Sequence, residues 1–217
     1  MTDGRFEGNT AMAGGAISSR TGCTVTFTGT VFVGNKAESK ANDQGGGAIY
    51  TNNNTLTLSG VTLDGNSSAY YGGAIAGLGA TIVIKDNSII KNSTGTTGGA
   101  IQLRNGGSCT ITDSTVSDNT ATNYGTVYMT GVGKLTVNGL VANGNKAVRG
   151  GVFYVSGGTT TITNVTASDN VVTNGGELLY AGGSSTTVTV NYKTDEEKTS
   201  WENGTKNNGA TVIYKAA

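Results

Sequence analysis

Apolar and polar positions along the chain recur with a long period. Seven times, an apolar residue, two spacers and an asparagine are followed by Gly-Gly-Ala-Ile or a relic of it. The asparagine falls at Asn9, Asn35, Asn66, Asn92, Asn119, Asn145 and Asn170, and the closing apolar residue at Ile17, Ile49, Ile75, Ile101, Val127, Phe153 and Leu178. Most steps are 25 to 27 residues, with 31 and 32 across the second copy. A fixed period of this length predicts a solenoid, in which each copy covers the next and only the stack has a core.

Within each copy the pattern reads as three short strands joined by turns rich in Gly, Asn and Ser. In the first they lie around Gly15–Ser19, Thr24–Thr28 and Thr30–Phe32. The middle one alternates with period two, as a half-buried strand does. Its inward columns are Val25, Leu56, Ile82, Cys109, Leu135, Thr160, Thr186 and Phe27, Leu58, Ile84, Ile111, Val137, Ile162, Val188. A third column opens each Asn phrase: Phe6, Phe32, Leu63, Ile89, Val116, Ala142 and Ala167. It shrinks along the chain while Phe153 adds bulk to another, as a core of constant cross-section requires. Stacked at a turn, the repeated Asn bonds its neighbours above and below and the nearby backbone. That ladder makes the glycosylation triplets at Asn66 and Asn92 structural.

Two stretches depart from the period. Residues 36–45 are an insertion rich in charge and without a strand pattern, expected to loop out at a corner. Tyr70 and Tyr71 fall at the same corner one coil later. With Lys36, Glu38 and Asp43 they form a candidate partner-binding patch. After Val190 the period dissolves. Thr194-Asp195-Glu196-Glu197 matches a capping box, predicting a short helix over Asp195–Glu202 that carries Trp201 onto the open end, then a last strand at Thr211–Tyr214. The division is thus 1–190, the repeats, and 191–217, a cap that stops end-to-end stacking.

The charge balance is fourteen against fourteen, so no basic field exists to hold nucleic acid, and no apolar run is long enough to insert in a bilayer. Two cysteines, Cys23 and Cys109, are too few for a disulfide framework. Three coils apart, about 14 Å, they are expected to be free thiols. The start at Met1-Thr2-Asp3 reads as an excised piece of a longer surface protein.

The repeated Gly-Gly-Ala-Ile (14–17, 46–49, 72–75, 98–101), alternating with Phe-Glu-Gly-Asn (6–9) and Phe-Val-Gly-Asn (32–35), resembles the repeats of chlamydial polymorphic outer-membrane proteins. The resemblance covers about residues 6 to 180; the later copies, including Gly175-Gly176-Glu177-Leu178, are degenerate. It implies an all-β, right-handed parallel β-helix of pectin-lyase-like shape, displayed extracellularly or on a cell surface, that adheres to a host protein or glycan.

There is no His, which removes the commonest general base and metal ligand. Asp86 and Asp113 share a turn position on neighbouring coils, near Lys85 and Lys91, but turn Asp bonding its own backbone is the commoner role. No enzyme activity, cofactor or metal is expected. The outward face of the middle strand carries Thr24, Thr26, Thr28, Thr55, Thr57, Thr110, Thr112, Thr136, Thr161, Thr163, Thr187 and Thr189. At ~6.8 Å along a strand and ~4.8 Å between coils this is a regular grid of hydroxyls and methyls, similar to antifreeze faces. Val83, Lys85 and Lys134 interrupt it, and Thr also suits any exposed strand. Tyr50, Tyr128 and Tyr154, with Leu179 beyond, are read as exposed and too scattered to form a platform. The leading expectation is a monomeric, non-enzymatic adhesin-like module; the alternative is ice binding by the Thr face.

Overall fold

The computed structural model describes residues 1–40, 44–131 and 133–217. Among them the chain winds as a parallel solenoid in which like positions of successive coils pair in register. Ile17 lies beside Ile49, Ile49 beside Ile75, Ile75 beside Ile101, Ile101 beside Val127 and Val127 beside Phe153. Three files of strands form. The Ile sheet begins with Ile17–Arg20, the Thr sheet with Thr24–Thr28 and the Phe sheet with Arg5–Glu7 and Val31–Val33. From the fourth coil onward the turns are extended enough for strands to run together, as in Ser108–Ser117 and Phe153–Ser168. The Ile and Thr sheets each have an eighth strand rather than ending at seven, because Thr205–Asn208 continues the Ile sheet and Thr211–Ala216 the Thr sheet, both paired onto Leu179–Tyr192.

A fourth file was not anticipated. Thr10–Ala11, Lys36–Ala37, Ser67–Ser68, Thr94–Thr97, Thr120–Tyr124, Lys146–Ala147 and Val171–Val172 make a separate sheet. Strands this short have no periodicity of their own and exist only through pairing between coils. Lys36 and Ala37 therefore belong to the stack, and Glu38 and Ser39 follow it, their backbone amides donating to the Ala11 and Met12 carbonyls. The insertion is correspondingly shorter than 36–45; Asp43 lies outside the described residues.

Stacking at this spacing leaves no room for side chains at the Gly-Gly turns. A Cβ on Gly47 would lie 2.1 Å from the Gly73 carbonyl oxygen, and Gly46 has φ +69°. The core is the set of inward columns, with Leu56, Leu58, Ile75, Ile82, Ile84, Ile101 and Phe153 fully buried. Four columns need correction. Ile90, not Ile89, pairs with Leu63 and is buried, while Ile89 sits half-buried beside Thr62. Leu179, not Leu178, pairs with Phe153, so the last Gly-Gly-Ala-Ile relic is Gly176-Glu177-Leu178-Leu179. Val188 and Val190 pair with Thr160 and Ile162 in place of Thr186 and Val188. The irregularity between Ser156 and Gly158 absorbs the extra residues, and Thr186 is buried with its hydroxyl accepting from the Gly157 amide.

The Asn ladder is built as its chemistry suggests. The Asn35 side-chain amide donates to Asn66 Oδ1 and to the Phe6 carbonyl, both at 3.0 Å. Asn119 and Asn145 repeat the pattern, Asn170 ends it by accepting from Asn145 and donating to the Ala142 carbonyl, and all three are buried. On the fourth coil, however, Ser93 takes the ladder position and its amide donates to Asn119 Oδ1 at 3.0 Å. Asn92 is exposed at φ +54° and donates to Asp64 Oδ1. Burial thus hides the Asn66 triplet but not the one at Asn92.

Helix α1, Asp195–Gly204, stands in place of the Phe-sheet strand of the seventh coil, before the chain returns to Thr205–Asn208. Thr194 caps it by accepting from the Glu197 amide, and Glu197 Oε2 accepts in return from the Lys193 amide. Trp201 is buried against Phe153, ring centroids 6.4 Å apart. Cys23 is exposed and Cys109 buried, and both are free thiols.

Candidate functional site

The turn before each Ile strand leans over the outer side of the Ile sheet. Its file contains Gly45, Tyr71, Thr97, Tyr124 and Arg149, bridged in sequence from coil to coil. Beneath it run the outward residues Tyr50, Ala76, Gln102, Tyr128, Tyr154 and Tyr180. Tyr50 is buried at 3% exposure, with the Arg20 guanidinium 5.8 Å from its ring centre. The expectation of exposed, scattered tyrosines is overturned. Tyr180, not Leu179, completes the column, so Tyr128, Tyr154 and Tyr180 stack continuously with centroids 5.1 and 4.8 Å apart. Tyr124 joins from the turn, 4.9 Å from Tyr154. The missed signal was the Tyr at position 180, concealed by a one-residue slip in a run of three buried residues, Leu178 to Tyr180.

Arginines border the stack. The Arg104 guanidinium lies 3.9 Å from the ring centre of Tyr71, and Arg149 lies 5.6 and 5.7 Å from those of Tyr124 and Tyr180. Such cation–π contacts fix both partners. Tyr70 and Tyr71 meet edge to face at 4.3 Å. Burial pushes the Tyr71 and Tyr128 phenols up, and burial plus neighbouring phenols pushes Tyr154 up to about 12. They remain neutral donors at physiological pH. The rings stack on one another beside two guanidinium groups, with Tyr124, Tyr128 and Tyr154 half-buried and Tyr180 buried. Tyr70 and Tyr71 therefore belong to a larger surface than the corner patch. Lys36 and Glu38 pair with each other at 2.9 Å on the preceding coil.

Through the sixth coil the Thr residues stand where the spacing put them. Thr26 lies beside Thr57, and Thr110 beside Thr136, then Thr161. Thr24, Thr28, Thr55, Thr112 and Thr163 flank them on the same outer surface. Thr187 and Thr189 are one column over, beside Thr159 and Thr161, because of the two-residue shift in the seventh coil. Val83 and Lys85 interrupt the third coil and Lys134 the fifth.

Asp86 and Asp113 are left-handed turn residues, at φ +57° and +42°. Asp86 accepts from the Ser59 hydroxyl at 2.5 Å and meets Lys85 Nζ at 3.2 Å, which holds its carboxyl below the usual range. A general acid needs the opposite shift. Among the described residues no three His, Cys, Asp or Glu side chains are grouped to hold a metal ion, and no helix is long and apolar enough to cross a membrane.

No curated protein and no solved structure matches the chain. Residues 2–167 match the right-handed β-helix region family. That match spans well over half of the sequence and agrees with the register of the stack. The chain is a member of the right-handed β-helix family.

Proposed function

We propose that this β-helix is a non-enzymatic, adhesin-like module of the cell surface that binds a host protein or glycan through its Tyr/Arg face. The observation that carries the reading is the ordered row Tyr124, Tyr128, Tyr154 and Tyr180 with Arg104, Arg149, Tyr70 and Tyr71 around it. Tyr and Arg are the residues most enriched at binding hot spots, and side chains already locked by stacking lose little entropy on binding. A row of phenols beside two guanidinium groups suits an acceptor-rich partner such as an acidic protein segment or a carboxylate-bearing glycan. The resemblance to chlamydial surface repeats supports display and adhesion.

The test is attachment of the immobilised protein to host cells and a glycan array. Tyr71→Ser together with Arg149→Glu is expected to weaken attachment about tenfold or more while the β-sheet circular-dichroism signal is retained. Unchanged attachment by a folded double variant would sink the reading. The in-register Thr face favours a second reading, ice binding. It requires thermal hysteresis that Thr136→Tyr abolishes; an unmodified protein without hysteresis removes it.

A further inference from the structure

The last segment of the Phe sheet, 165–168, is paired on one side only. Leu140, Val141, Ala142 and Asn143 match Val165, Thr166, Ala167 and Ser168 in parallel register. On the other side, pairing with the next coil ends at Thr163, opposite Asn191. The chain that would supply the next strand enters helix α1 instead. In a parallel ladder both backbone groups of one residue face the same neighbour, and alternate residues face opposite ones. The Ser168 carbonyl accepts from the Gly144 amide, toward the stack. Ala167, and Val165 two residues before it, therefore direct their amides and carbonyls toward the helix side, where no described strand meets them.

Between this edge and α1 lies a cleft of about 230 Å³. Val165, Thr166 and Ala167 line its edge side, Glu197 and Ser200 its helix side, and the largely buried Leu178 and Trp201 its floor. The inward column has shrunk to Ala167 here, which is why space remains. The rim is acidic: Asp195, Glu196 and Glu197 fill the first turn of α1, and Glu177 lines an adjoining pocket.

We propose that this edge is a strand-addition site for an extended cationic peptide. The peptide backbone pairs with Val165 and Ala167, an apolar side chain enters the cleft over Trp201 and Leu178, and Lys or Arg side chains meet Glu197 and Glu177. Main-chain bonds supply affinity in this mode and alternate side chains supply selectivity. The site is separate from the Tyr/Arg face and does not depend on it.

Trp201 is the sole tryptophan, so its fluorescence reports the cleft directly. The probes are the blocked peptide Lys-Val-Thr-Val-Lys, its Glu-Val-Thr-Val-Glu counterpart, and the Lys peptide N-methylated at alternate residues. The Lys peptide is expected to shift Trp201 emission saturably and to slow hydrogen exchange at the Val165 and Ala167 amides. The other two are expected to do neither. Glu197→Gln and Glu177→Gln should each weaken binding about threefold, as rim charges do. Equal binding by the N-methylated peptide, or a Trp201 shift with no protection at Val165 and Ala167, overturns the proposal. Protection that rises with protein concentration alone would make a second copy the occupant and overturn it too.

Discussion

At the scale of single residues, stability turns on the buried amides of the Asn ladder. Asn119 donates through its side chain to the Ile90 carbonyl at 3.0 Å and to Asn145 Oδ1 at 3.1 Å, and its backbone amide donates to the same oxygen. Asn119→Ala leaves the Ile90 carbonyl without that donor in a dry interior. It should cost about 1–3 kcal/mol, read as a lower urea midpoint. Asn92 repeats the motif in sequence but stands in solvent at positive φ. Asn92→Gly, which relieves that backbone, should leave the midpoint unchanged or raise it slightly. Equal losses at both positions would contradict the ladder as described. The two asparagines are indistinguishable by spacing, and what separates them is a one-residue shift that puts Ser93 between the coils.

At the scale of elements, the tyrosine file behaves as one unit. Tyr154 sits between Tyr128 and Tyr180, and its phenol is pushed up to about 12 by burial and by its neighbours. An unfolded Tyr ionises near ~10, so the folded chain keeps this proton longer. The stability linked to it is fully present below the unfolded value and lost as pH rises through the folded one. Urea midpoints should therefore fall between about pH 10 and 12, and Tyr154→Phe should flatten that fall. An identical slope in the variant would show that the phenol does not titrate with folding. Burial also pushes the Cys109 thiol up to about 12, so part of the slope will survive the substitution. Helix α1 shows the opposite relation of sequence to structure. Its start was legible because Thr194 and Glu197 act locally: their side chains accept hydrogen bonds from the Glu197 and Lys193 amides, three and four residues away.

At the scale of the whole molecule, the repeat alone determined the winding of the chain, the inward columns of the first coils and the outward Thr grid. A period of about 26 residues with alternating apolar positions has one economical solution, a stack in which like residues lie over like. The start of the cap and the burial of Trp201 followed from capping chemistry and from the need to cover an open end. Only the tertiary structure decided the rest. The four strand files instead of three, the eighth coil, and the placement of Ser93, Ile90, Leu179 and Val188 all depend on backbone pairing between coils. Such pairing slips by a residue or two where insertions and runs of buried residues leave the pattern degenerate. The Tyr/Arg face and the bare edge at Val165–Ser168 arise from those choices. One requires a turn from each coil to fold over a neighbouring sheet, and the other requires a strand that became a helix. Neither is written in a local pattern, because each is a relation between segments distant in the chain.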